Sequence, residues 1–189
     1  MSYETINFGG FEIKMGLLKG GYRYNAFKKG TNNQYFKNHE FFKSKEELLN
    51  YIKNKILEHN QITLQKRVNG IPTAEEFVEA INFVKPTDAQ WAMLKAHYHA
   101  PERKLTSLQL AKAGNYDHFY TGNTQYGTLG GNIARHLNYT PPGKYDDGKP
   151  LWITTITEDN HYNSDEDTGH FQHILREEVA KALKLLGAI

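Results

Sequence analysis

Apolar and polar positions alternate along the first part of the chain. Thr5-Ile6-Asn7-Phe8 and Phe11-Glu12-Ile13-Lys14-Met15 switch at every residue, the pattern of a strand with one buried face. Gly9-Gly10 between them and Gly20-Gly21 further on supply turns. Tyr22-Arg23-Tyr24-Asn25-Ala26-Phe27 alternates again, the polar segment from Lys28 to Asn33 is a loop, and Gln34 to Phe42 is extended once more. The period then changes. Leu48, Leu49, Ile52 and Ile56, with Tyr51 beside them, form a helical stripe with lysines on the other side. Ser44 is placed to cap that helix while Glu47 reaches back to the cap amide. The pattern predicts a β-β-β-α module, one helix laid on a three-stranded sheet.

Residues Gln61 to Pro72 are mixed in polarity and contain the turn pair Asn69-Gly70. They read as a connection, with a domain boundary near Gly70: residues 1–70 form the first module and 71–189 the second. The second module opens with two capping boxes, Thr73 with Glu76 and Thr87 with Gln90, separated at Lys85-Pro86. Phe77, Val78, Ile81 and Val84 line the first of these helices, and Trp91, Leu94 and Tyr98 the second. A third box, Thr106 with Gln109, starts a short helix carrying Leu108, Leu110 and Ala111, which Gly114-Asn115 stops. A further helix covers much of Thr124 to Leu137 despite Gly127, Gly130 and Gly131, which weaken it intrinsically and suit close approach to another backbone. Strands are expected over Leu151 to Ile156 and His170 to Leu175, around an acidic loop from Glu158 to Gly169. A closing helix runs from about Arg176 to Gly187. The fold class expected is therefore α+β.

Composition narrows the chemistry. The chain has no cysteine, which excludes disulfide frameworks, thiolate metal sites and cysteine nucleophiles. No signal-like leader or membrane-length apolar run is present, so a cytoplasmic location without a membrane partner is expected. The net charge of +2 hides an asymmetry. Up to Gly70 there are twelve Lys and Arg against six Glu, about +6, leaving about −4 for the remainder. A basic half beside a mildly acidic one suits a polyanionic partner or, more plainly, a solvated lysine-rich surface.

The order helix, short helix, turn, helix, two strands resembles a winged helix-turn-helix. Leu105-Thr106-Ser107-Leu108-Gln109-Leu110-Ala111-Lys112-Ala113 is similar to the helix before the turn in such domains, where a capping Thr, a buried Leu and a small Ala permit tight crossing of the next helix. The resemblance covers roughly Thr87 to Leu175. It implies a recognition helix near Thr121 to His136, with Tyr120, Asn123, Thr124 and Gln125 facing the major groove, and a wing between Trp152 and Leu175. The recognition helix has Arg135 as its one full cation, and Asp159, Asp165, Glu166 and Asp167 lie on the wing. Winged helices also serve as protein-interaction modules, so an adaptor that binds a protein partner or a second copy of itself is the alternative.

The first module is similar to the three-stranded sheet plus helix at the start of phage-type integrases, whose sheet enters the major groove. That resemblance implies Lys14, Arg23 and Lys28 on an exposed sheet face, with Tyr22, Tyr24 or Tyr35 as flat contacts. Together the two resemblances imply a non-enzymatic DNA-binding protein, an accessory or regulator of a mobile element or a restriction-type system.

Enzymatic signals are sparse. No GxSxG, HExxH, P-loop, dinucleotide fingerprint or EF-hand is present, so no catalytic residue, metal or cofactor is expected. His97 and His99 point to different sides of a helix. His170 and His173 lie near Asp165, Glu166 and Asp167, a grouping that suits either a solvated acidic loop or a surface metal site. The latter is the basis of a second alternative, a metal-dependent nuclease.

Overall fold

The computed structural model describes residues 3–29, 34–37, 40–158 and 171–189. The chain is mixed α+β and divides into two compact units, Met1–Gly70 and Ile71–Ile189.

In the first unit, β1 (Tyr3–Phe8), β2 (Phe11–Leu18), β3 (Gly21–Lys28) and β4 (Gln34–Lys37) form one antiparallel sheet in sequence order. The sheet expected with three strands thus has four, the extended run that begins at Gln34 forming the short β4 on the outer edge of β3. It does so with a bulge between Ala26 and Phe27. Beyond β4, Phe42 bridges back to Tyr22. Gly9 and Gly10, both at positive φ, make the tight β1–β2 turn that L side chains disfavour. Ser44 caps α1 (Lys45–Gln65) through the Glu47 amide. Leu48, Ile52 and Ile56 of this helix bury against Phe11, Ile13, Met15, Tyr24 and Ala26. The helix runs through the first part of the expected connection, since nothing in Gln61–Gln65 breaks it. The turn comes at Asn69 and Gly70, both at positive φ.

The second unit contains α2 (Ala74–Val84), α3 (Asp88–His99), β5 (Lys104–Thr106), α4 (Ser107–Ala113), α5 (Phe119–His136), β6 (Gln172–Ile174) and α6 (Glu177–Leu185). Capping boxes close the N-termini of α2, α3 and α4 at Thr73, Thr87 and Thr106. One core joins these helices through Phe77, Ile81, Leu94, Leu110, Tyr126, Leu129, Ile133, Val179 and Leu183.

The strand expected over Leu151–Ile156 is instead a 3-10 turn, Trp152–Thr155. Two contacts hold it in that form. A Cβ on Gly130 would lie 2.2 Å from the Trp152 carbonyl oxygen, so only glycine lets the turn settle on α5. The buried Arg176 donates through Nη2 to the Thr154 and Thr157 carbonyls at 2.9 and 2.8 Å. β6 therefore pairs elsewhere. It runs antiparallel to β5, Leu105 opposite His173. On its other side the chain leaving the turn joins it, with Thr157 opposite Leu175 and the Glu158 amide donating to the Ile174 carbonyl at 2.9 Å.

Candidate nucleic-acid interface

Side chains alternate across a strand, and cross-strand partners share a face. Because Ile13, Met15, Tyr24 and Ala26 turn toward α1, the register fixes what the opposite face carries. Its rows are Tyr3–Gly16–Arg23, then Thr5–Lys14–Asn25–Lys37, then Asn7–Glu12–Phe27–Gln34. The side-chain contacts agree. Lys14 pairs with Glu12 at 3.0 Å and lies 5.1 Å from the Phe27 ring centre. Arg23 stacks 3.9 Å over Phe41. Gln34 Nε2 donates to Asn25 Oδ1 at 2.8 Å. Among the described residues of these rows, Lys14, Arg23 and Lys37 stand with one carboxylate, Glu12, and α1 packs on the other side.

Lys14 and Arg23 stand on this open face. Lys28 does not: it is opposite Phe11 on the helix side, its ammonium 5.6 Å from that ring. The expected grouping of the three cations is corrected accordingly, since Arg23 and Lys28 are five residues apart on one strand and must point to opposite faces. The tyrosines expected as flat contacts are also on the helix side. Tyr24 is buried, Tyr22 packs on the core, and Tyr35 packs edge-on to Phe11 and His59. Lys37, Asn25, Gln34 and Phe27 are the residues that sequence reasoning missed. Two-residue spacing from Arg23 points to Asn25 and Phe27; the bulge hid the other two.

In the second unit, α4 and α5 cross at backbone contact. A Cβ on Gly122 would meet the Ala111 amide nitrogen at 2.8 Å and its Cα at 2.9 Å. The first turns of α5 are thereby presented outward. Tyr120 and Thr124 lie on one exposed stripe, and the Thr124 hydroxyl donates to the Tyr120 carbonyl at 2.9 Å. Asn123 is half-buried, its Oδ1 enclosed with no hydrogen bond. Gln125 is half-buried, and its main-chain carbonyl accepts from Gln90 Nε2 of α3 at 3.2 Å. Helical spacing brings Tyr120, Asn123 and Thr124 together, three and four residues apart, with Gln125 one position further round the helix. Phe119 and Tyr120 are 60% and 72% exposed, which makes this end of the helix aromatic rather than cationic.

The histidines have separate fates. His97 is buried between α3, α5 and β6, while His99 is exposed. His97 Nε2 lies 2.9 Å from the His173 carbonyl, which only accepts, so Nε2 carries the proton. Nδ1 then accepts from the Tyr126 hydroxyl at 3.1 Å. Burial pushes the His97 pKa down to about 4. Burial and the neighbouring His97 do the same to His173, whose Nε2 meets Ser107 Oγ at 3.1 Å. These are hydrogen bonds of the core.

Asp159, Asp165, Glu166, Asp167 and His170 of the expected acidic grouping lie outside the described residues. Among the described residues no three His, Asp or Glu gather as a metal site, and no helix is long and apolar enough to cross a membrane. A polar cleft of about 500 Å³ is lined by Glu102, Arg103, Glu158 and Glu177, where Arg103 pairs with Glu177 at the surface. Comparison with family models, curated proteins and solved structures finds no match to this chain.

Proposed function

We propose that this is a non-enzymatic, cytoplasmic DNA-binding protein that lays the open sheet face of its first unit against a duplex. One observation carries the proposal: Lys14, Arg23 and Lys37 share one sheet face with the amides of Asn25 and Gln34, and α1 occupies only the other face. Cations of that kind suit phosphates, and amides between them suit base edges. The second unit supports the proposal through its winged-helix-like order. It has a short helix crossing a longer one at Ala111 and Gly122, and β6 lies between β5 and the segment around Thr157. An accessory or regulator of a mobile element or restriction-type system is the setting this implies.

Fluorescence anisotropy of the full chain on a random duplex tests the proposal. Three phosphate contacts give a slope near −2.7 in log affinity against log salt, or about 40-fold weaker binding between 50 and 200 mM. Absence of binding at low salt would remove it.

A second function, docking of a protein partner, is favoured by the first turns of α5. Phe119 and Tyr120 are exposed there, and Gly127 faces open space. Light scattering and partner capture check this; a monomer whose Tyr120→Ala variant retains every interaction would discard it.

A further inference from the structure

The bulge in the first unit has a chemical consequence. Lys37 pairs with Asn25 and Phe36 with Ala26, but the next partner of Phe27 is Gln34 rather than Tyr35. Without the extra residue, Tyr35 would take the open face and Gln34 the helix side. The bulge reverses this. Tyr35 packs against Phe11 and His59, and Gln34 comes to the open face, where its Nε2 donates to Asn25 Oδ1 at 2.8 Å. A bulge that re-aims one amide onto another fixes which way the Asn25 amide points.

With that bond made, Asn25 retains both Nδ2 donors and a second lone pair on Oδ1. It stands between Lys14 and Lys37 in one cross-strand row, so cations flank it on both sides. A donor beside an acceptor on one planar amide matches adenine in the major groove, which offers N7 as acceptor and N6 as donor. Guanine presents two acceptors there, leaving Oδ1 without a donor.

We propose that Asn25, oriented by Gln34, reads an adenine in the major groove while Lys14 and Lys37 hold the flanking phosphates. This rests on the DNA-binding function proposed above, and the test separates the two. Binding of the full chain is measured on three mixed-sequence duplexes of equal length: one containing A·T pairs, the same duplex with 7-deazaadenine, and one of G·C pairs only. The 7-deaza base lacks the N7 acceptor and leaves the minor groove unaltered.

The expected result is a preference of roughly tenfold for the adenine duplex, from one bidentate contact. That preference disappears with 7-deazaadenine and in Asn25→Ala, shrinks in Gln34→Ala, and leaves salt-dependent binding to G·C pairs in place. Equal affinity for all three duplexes would overturn the assignment and leave DNA binding standing. So would a preference that survives 7-deazaadenine, or a uniform loss in Asn25→Ala with its melting temperature unchanged. No binding to any duplex overturns both proposals.

Discussion

Three of the four glycines of α5 share one helix and have opposite consequences. A methyl group on Gly122 or Gly130 runs into backbone, at 2.8 Å from the Ala111 nitrogen and 2.2 Å from the Trp152 oxygen. Backbone cannot swing aside as a side-chain tip can, so Gly122→Ala and Gly130→Ala should each cost about 1–3 kcal/mol or more as overpacking. Gly127 faces open space at helical φ, where glycine only adds unfolded-state entropy. Gly127→Ala should therefore stabilise by about 0.5–1 kcal/mol. Denaturant midpoints measure all three, and a destabilised Gly127→Ala would contradict the local packing described above. The sequence shows that Gly127, Gly130 and Gly131 weaken a helix and suit close approach. Which of them is approached depends on Trp152, well downstream of the helix, and no local pattern encodes that. Residue parity, by contrast, was open to inspection. Arg23 and Lys28 differ by an odd number on one strand, so their separation to opposite faces follows from the period of two.

Elements whose ends are chemically marked were the legible ones. The boxes at Thr73, Thr87 and Thr106 each close as a side-chain and backbone pair, a three-residue signal that needs nothing distant. The segment from Leu151 to Ile156 carries β-branched residues, yet it turns because Gly130 and Arg176 accommodate it from far along the chain. The junction of α3, α5 and β6 is also a distant arrangement, and it titrates. His97 and His173 are held near pKa 4 in the folded unit, against an ordinary value of 6.5. Both are neutral in folded and unfolded chains above pH 6.5, so stability is full there. As pH falls from 6.5 toward about 4 the unfolded chain takes up protons that the folded one refuses. Each histidine then removes about 1.4 kcal/mol per pH unit, and below about pH 4 this loss ends. Urea midpoints across that window should fall steeply in the natural chain. The slope should lessen in His97→Gln and persist in a variant of the exposed His99. Equal slopes in all three would show that His97 is not buried neutral.

At the scale of the whole molecule, charge is distributed more tellingly than its sum suggests. A net charge of +2 would give weak, unspecific attraction to a polyanion if spread evenly. The open sheet face instead gathers Lys14, Arg23 and Lys37, whereas α5 carries no Lys or Arg before Arg135. Exposed cations of this kind contribute little to folding, and the Lys14–Glu12 pair is a surface one worth well under about 1 kcal/mol. Their removal should be nearly silent in stability and visible in binding. Lys14→Gln with Lys37→Gln should reduce the salt slope on random duplex by about 1.8, some 0.9 for each phosphate no longer neutralised, with the melting temperature essentially unchanged. Lys28→Gln, on the helix side of the same strand system, and Arg135→Gln should leave the slope where it was. Titrations at four salt concentrations distinguish these cases. A slope that responds to Lys28 or Arg135 but not to Lys14 and Lys37 would move the phosphate-binding surface away from the open sheet face.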